Sequence, residues 1–203
     1  MIYALIPAGG KSTRMGRPKL TLPLGGRSVL EHVIRALQWT EAREVLVVVG
    51  PHVPELVPLA RRLGAHTLVL AEESAGMRDT VEHGLRRLEE LFHPGPDDDW
   101  LLVPGDHPLL NPDVVRQLIE ARRQNPERTI VLPTYCSRRG HPTLLRWKHV
   151  AGIRAHPAGE GLNTYIRQRA AETLEVPVDS PSILFDLDTP ADYERLLQQW
   201  PKR

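Results

Sequence analysis

Three stretches of the chain hold residues whose types and spacing can do chemistry. The first, Ala8-Gly9-Gly10-Lys11-Ser12-Thr13-Arg14-Met15-Gly16-Arg17-Pro18-Lys19, directly follows an apolar run and carries four cations and no acid. Two adjacent glycines let backbone amides approach a ligand with no Cβ in the way, and successive exposed amides form an anion nest. A plain turn does not need a run of like charges without local compensation, so the segment reads as a phosphate-binding loop. It matches neither of two familiar kinds. A Walker A loop would end in Gly10-Lys11-Ser12, but its first glycine falls at Leu5, which disfavours a P-loop kinase. The dinucleotide fingerprint Gly-x-Gly-x-x-Gly fails because Gly9 and Gly10 are adjacent and Gly16 lies too far along.

The second stretch, Val103-Pro104-Gly105-Asp106-His107-Pro108, places Asp106 at the carboxyl edge of a candidate strand, where open α/β sheets bind ligands. A hard cation such as Mg²⁺ takes one or two carboxylates and completes its shell with substrate phosphates. The alternative for Asp106 is a turn residue capping the next segment. The third stretch, Asp186-Leu187-Asp188-Thr189-Pro190, sets two acids around Leu187 at the end of a candidate last strand, so alternation turns both to one face. Burying both without a cation is costly, and a second metal ligand is expected there, Asp188 in preference to Asp186. His107, and His141 in Gly140-His141-Pro142, are candidates to hydrogen-bond a ligand; the plainer reading is a His that fixes a turn before Pro. No His pair has helical spacing within a metal motif, which disfavours zinc.

Together these residues resemble a known family. Ala8-Gly9-Gly10-Lys11-Ser12-x-Arg14-Met15-Gly16-x-Pro18-Lys19, with Gly105-Asp106-His107-Pro108, Gly140-His141-Pro142 and Asp186-Leu187-Asp188-Thr189-Pro190, is similar to the signature of the MobA-like nucleotidyltransferases, the molybdenum cofactor cytidylyltransferases and molybdopterin guanylyltransferases. The resemblance implies a Rossmann-like fold and a nucleoside triphosphate bound over Ala8, Gly9, Gly10, Lys11 and Ser12, with Gly76 and Met77 also nucleotide-binding. It implies Arg14 on the β and γ phosphates, Lys19 neutralising the α-phosphate, Asp106 and Asp188 on Mg²⁺, and His107, Gly140, His141 and Asp186 near the acceptor. Arg14, Lys19 and Asp106 would then be the catalytic set. Two segments depart from the family pattern: Ala158-Gly159-Glu160-Gly161-Leu162-Asn163 lacks the Asp and Arg of Gly-Asp-x-Gly-Ala-Arg, and Gly76-Met77-Arg78-Asp79-Thr80 keeps Gly-Met without the serines. For the base, Thr21-Leu22-Pro23-Leu24 resembles the cytidylyl branch and Ala8-Gly9-Gly10 the guanylyl branch. The run of motifs leans to CMP transfer from CTP to the terminal phosphate of molybdopterin, with pyrophosphate released and a molybdoenzyme as recipient of the product. Guanylyl transfer from GTP, sugar-phosphate nucleotidylyl transfer and a non-catalytic carrier of molybdenum cofactor stay open as alternatives.

These residues need a frame. Short apolar runs alternate with amphipathic segments, which predicts a three-layer α/β domain over residues 1–203 with a mostly parallel central sheet and helices on both faces. Strands are predicted at Ile2–Pro7, Glu44–Gly50, His66–Leu70, Trp100–Val103, Thr129–Pro133, Thr173–Val178 and Ile183–Leu187. Ser28 with Glu31 forms a candidate capping box, Asn111-Pro112 and Thr189-Pro190 each put a cap before a proline at the first helical position, and Asp192 completes the second. Asp97-Asp98-Asp99, in the polar stretch His93–Asp99, reads as a solvated turn, and the Arg pairs at 61–62, 86–87 and 122–123 as exposed helix faces.

Of 203 residues, 41% are apolar and 25% charged, with 26 basic against 25 acidic, which excludes a disordered or fibrous chain. A net charge of +1 argues against nucleic acid or an anionic membrane as partner, so any anion is held locally. The single Cys136 excludes an internal disulfide framework and a multi-Cys zinc site, which fits a reducing compartment. Apolar runs such as Val45–Val49 are far short of a membrane span, and Met1-Ile2-Tyr3 lacks a basic signal-peptide start, so a cytoplasmic protein is expected.

Overall fold

The computed structural model describes residues 1–200. Its architecture follows from β1 (Ile2–Ala8), whose side chains are almost all buried. Period-two alternation sends Ile2, Ala4, Ile6 and Ala8 into one apolar cluster and Tyr3 and Leu5 into the other, so the strand has a packed layer on each side. It lies between β4 (Glu44–Val49) and β6 (Asp99–Leu102), parallel to both. Farther out, β5 (His66–Val69) extends the parallel set beside β4. The sheet order is β10-β7-β9-β6-β1-β4-β5, with β7 (Ile130–Tyr135), β9 (Thr143–Arg146) and β10 (Thr173–Pro177) on the far side and β8 (Arg138–Arg139) paired to β7. A small hairpin, β2 (Pro23–Leu24) with β3 (Arg27–Ser28), stands apart.

One face is covered by α1 (Val29–Leu37), α2 (Leu56–Arg62), α4 (Pro112–Gln124) and α7 (Pro190–Gln199). The other carries α3 (Met77–Phe92), α5 (His149–Arg154) and α6 (Leu162–Arg167). The expected caps are in place: Ser28 and Glu31 cap α1 reciprocally, Asn111 accepts from Asp113 N at 2.9 Å, and Thr189 with Asp192 caps α7. Such caps satisfy amides that have no partner within the helix. Gly84 lets α3 lie close on the sheet, since a Cβ there would fall 2.4 Å from Leu5 Cδ1 and 2.8 Å from Val48 Cγ2. That close packing aims the first turn of α3 at the carboxyl ends of the parallel strands.

Four expectations are corrected. Ile183–Leu187 is not a strand: Pro181–Leu184 forms a 3₁₀ turn, because Pro181 cannot donate to a ladder, and the chain then runs extended. β9 was not predicted; it inserts between β6 and β7 and runs antiparallel to both. Asp99 opens β6 instead of lying in a solvated turn, and its carboxylate sits 3.6 Å from Arg122 Nε and 4.0 Å from Arg146 Nε. Arg122 is accordingly buried at 3% exposure, unlike Arg123 beside it. No helix among the described residues is long and apolar enough to cross a membrane.

Candidate active-site cleft

The parallel strands β1 and β6 end side by side, and a cavity of about 450 Å³ opens at that edge, within the range of small-ligand sites. The glycine loop leaves the end of β1 and is shaped by its own backbone. Ser12 takes φ +54°, its carbonyl accepts from Met15 N at 3.0 Å and Gly16 N at 3.1 Å, and its hydroxyl accepts from Lys19 N at 3.2 Å. Met15, 4% exposed, anchors the middle of the loop in the core. The chain is thereby turned back so that Lys19 reaches over the end of β6. Gly9 lies at a close approach, where a Cβ would press on Thr80 Oγ1 at 3.2 Å, whereas Gly10 has open space in front of it. The His52 ring lies 3.2 Å from the Gly10 carbonyl, an N–H···O bond that steadies the loop from outside.

Lys19 is the centre of the site's electrostatics. Its ammonium donates to Asp106 Oδ2 at 2.5 Å and to Asp188 Oδ1 at 3.0 Å, with all three side chains largely buried. Burial acts to lower the lysine pKa, and the two carboxylates outweigh it, so the group is held above its ordinary value. Arg14 reaches the other oxygen of Asp188 at 3.0 Å, and Lys11 pairs with Glu73 at 2.6 Å. Arg17 lies over the Tyr193 ring. The four loop cations that lack an acid nearby in sequence are therefore each met by a distant group.

The extended segment 185–188 delivers its two acids as alternation required, although it is no strand. Leu187 is fully buried, its N–H donates to the Asp106 carbonyl at 3.0 Å, and Asp186 and Asp188 both face the cleft. His107 Nδ1 is 3.7 Å from Asp186 Oδ1, and this ring, acting against burial, holds the Asp186 carboxyl below its usual range. His141 lines the cleft, and burial keeps its imidazole below its ordinary pKa, hence neutral near pH 7.

Ala8, Gly9, Gly10, Lys11, Arg14, Lys19, Gly76, Met77, Asp106, His141, Asp186 and Asp188 all border this one cavity. Three other expected residues do not. Ser12 spends its hydroxyl inside the loop. His107, 1% exposed, lies behind Asp186 with both ring nitrogens unpartnered. Gly140 packs on the backbone of Ile183, where a Cβ would stand 2.3 Å from the carbonyl oxygen. The structure adds Glu73, Ser74 and Thr80, with Thr80 donating to Ser74 Oγ at 2.7 Å beneath Gly9. Glu73 and Ser74 carried no motif, and Thr80 stood only at the end of the Gly76–Thr80 segment, with no role assigned to it.

A model of the MobA-like NTP transferase domain matches residues 4–174. The chain belongs to this family. Its fold is Rossmann-like, and the matched domain is that of NTP transferases. The bifunctional protein GlmU of Mycolicibacterium gilvum is 33% identical over 150 residues, covering 70% of this chain and 29% of that protein. The chain thus spans under a third of the length of that relative. Rv0371c of Mycobacterium tuberculosis superposes with a TM-score of 0.79 at 23% identity over 98% of this chain and 97% of that one, and a structure of it contains manganese (TM-score 0.74, 21% identity, 98% of each chain). A CMP:2-keto-3-deoxy-manno-octonic acid synthetase complexed with CTP superposes at 0.75 and 16% identity, with 97% of each chain covered. At these identities the superpositions show the fold alone.

Among the described residues no group of three His, Cys, Asp or Glu side chains is placed to hold a metal. Asp106 and Asp188 nevertheless converge on one positive charge, the Lys19 ammonium, so the position between them suits a cation. Two carboxylates fit Mg²⁺ when the rest of its octahedron comes from substrate phosphate and water, and do not fit a permanently resident ion.

Proposed function

We propose that this chain transfers a nucleoside monophosphate, CMP in our reading, from a nucleoside triphosphate to the terminal phosphate of molybdopterin, with release of pyrophosphate. The observation that carries the reading is the facing of the cationic glycine loop and the Asp106–Asp188 pair across one cavity. In this reading the triphosphate lies along Gly9, Gly10 and Lys11, and takes over Arg14 and Lys19 from the acids that hold them in the free protein. Asp106 and Asp188, so released, would hold Mg²⁺, which would supply charge neutralisation to the phosphate oxygens. An acceptor phosphate oxygen bonds to the α-phosphorus in line, and the bond from that phosphorus to its β-bridging oxygen breaks, with the electron pair leaving on pyrophosphate. Arg14 on the β and γ phosphates favours the leaving group, and Lys19 meets the charge that grows on the α-phosphate oxygens. Such chemistry asks for positioning and charge, so no nucleophilic side chain is needed. His141 and Asp186 stand where the acceptor phosphate enters, and Gly76 and Met77 border the nucleoside.

A second reading, cytidylyl transfer to a sugar acid or sugar phosphate, uses the same loop and the same two acids and differs only in the acceptor. In either case the setting is the cytoplasm, and for molybdopterin the product passes to a recipient molybdoenzyme. The test is pyrophosphate release with CTP, GTP, UTP or ATP in turn, Mg²⁺, and either molybdopterin or sugar 1-phosphates. CTP with molybdopterin is expected to give the highest rate. Nucleoside diphosphate as product, from γ-phosphate transfer, would overturn nucleotidyl transfer altogether.

A further inference from the structure

A second, smaller cavity of about 180 Å³ opens on the other side of His141, which lines both. Asn163 and Arg167 reach it from α6, four residues apart and so on one helix face. Thr143, 4% exposed, and Arg139 reach it from the sheet. The Arg139 guanidinium uses Nε and Nη2 on Glu175 Oε1, at 2.8 and 2.6 Å, which leaves Nη1 uncommitted. Arg167 has no ion-pair partner among the described residues, and the Nδ1 atom of His141 is buried without a hydrogen-bond partner. A cationic hollow that also offers an amide and a hydroxyl, joined to the main cleft through an unpartnered imidazole, is a recognition pocket in want of a ligand.

We propose that this hollow receives the far end of the acceptor, and that Arg167 with Asn163 selects acceptors whose phosphate is carried by an organic part ending in a planar group with oxygen acceptors, a carboxylate or a ring lactam. The proposal rests on the nucleotidyl-transfer reading and adds the residues that choose the acceptor. The guanidinium fork offers two parallel donors to the two oxygens of a carboxylate, or one donor to a lactam carbonyl whose N–H the Asn163 amide oxygen can accept, and a phosphate on a simple alcohol has no such second group to offer. Arg167 is exposed, so its removal is expected to leave the fold intact.

Wild-type, Arg167→Ala and Arg167→Lys full-length chains, saturated with nucleotide, are titrated with three probes. Molybdopterin presents a phosphate and a lactam, 3-phosphoglycerate a phosphate and a carboxylate, and glycerol 3-phosphate a phosphate alone. The wild-type chain is expected to bind one two-ended probe more tightly than glycerol 3-phosphate. Arg167→Ala is expected to weaken that probe by about 10-fold or more, the loss of one charge-assisted contact, with partial recovery in Arg167→Lys and less than about a twofold change for glycerol 3-phosphate. Which two-ended probe responds tells lactam from carboxylate. The proposal is overturned if the wild type prefers neither two-ended probe, if Arg167→Ala binds as wild type, or if it loses glycerol 3-phosphate equally. Failure of the wild type to release pyrophosphate with any acceptor overturns the reaction instead, and is read in a separate assay.

Discussion

Replacing Lys19 with Met tests the idea that one ammonium and one divalent cation compete for the same carboxylates. In the free protein Lys19 makes two charge-assisted hydrogen bonds, to Asp106 at 2.5 Å and Asp188 at 3.0 Å. Each such bond contributes about 1.5–3 kcal/mol where water is excluded. Exposures of 15%, 18% and 28% for the three side chains call for a discount, and Arg14 stays on Asp188 in the variant, so Asp106 alone is fully released. A net gain of about 1.4–2.8 kcal/mol for an incoming cation follows, which is about 10- to 100-fold in affinity. Mn²⁺ binding to nucleotide-free protein, followed by electron paramagnetic resonance or calorimetry at fixed ionic strength, is therefore expected to tighten by that factor in Lys19→Met. Transfer activity in the same variant is expected to fall by at least about 100-fold, since a preorganised charge on the reacting phosphate is lost. Unchanged or weaker Mn²⁺ binding would refute the competition, and would put the cation somewhere other than between Asp106 and Asp188.

Three more expectations follow from the same geometry. Asp106→Asn is expected to cut pyrophosphate release by at least about 100-fold while circular dichroism and the urea midpoint stay near wild type, because Asp106 lies in the cleft and outside the core. Gly84→Ala is expected to lower stability in urea by about 1–3 kcal/mol, the methyl group being driven into Leu5 and Val48. A buried histidine and a half-buried aspartate should oppose each other in pH dependence. Burial lowers His149, flanked by Glu172, Lys148 and Arg169, to about 4, so its contribution is present above about 6.5 and lost as pH falls to 4. Burial raises Asp99, against the pull of Arg146, to about 6, so its contribution is present below 3.8 and lost as pH rises through 6. The wild-type urea midpoint should thus vary little from these groups between pH 4 and 6; His149→Gln should uncover a fall with rising pH and Asp99→Asn a rise, and equal slopes in all three proteins would refute the pairing.

The parts of the site that were legible in the sequence are those whose information is local. The glycine loop, the acid after β6 and the three helix caps each depend on neighbours within a few residues, and each lies where its pattern placed it. The two acids at 186 and 188 were placed on the right face for a reason that needed amending. Alternation holds for any extended backbone, paired or not, so the segment keeps its sidedness although Pro181 and the 3₁₀ turn exclude it from the sheet. The misread elements depend on partners far away. Asp97-Asp98-Asp99 looked like a solvated turn because the arginines that draw Asp99 inward stand at 122 and 146, and β9 is a four-residue run that only its neighbours β6 and β7 make a strand.

The loop's charge illustrates the same limit with a functional consequence. Four cations without a local acid looked uncompensated, yet Lys11 is met by Glu73, Arg14 by Asp188, Lys19 by Asp106 and Asp188, and Arg17 by the face of Tyr193. The Lys19 contacts span 87 and 169 residues, a separation at which no spacing rule operates. A cleft shaped for a polyanion faces a difficulty when empty, since clustered like charges repel and would loosen the loop. Carboxylates drawn from segments distant in sequence remove that repulsion and, in the function we propose, also hold Lys19 in the place a phosphate will take. The near-neutral sum over the whole chain and the strong local field of the site are then two views of one arrangement, and in the function we propose the same acids stand in for the substrate and are freed to hold its cation when it arrives.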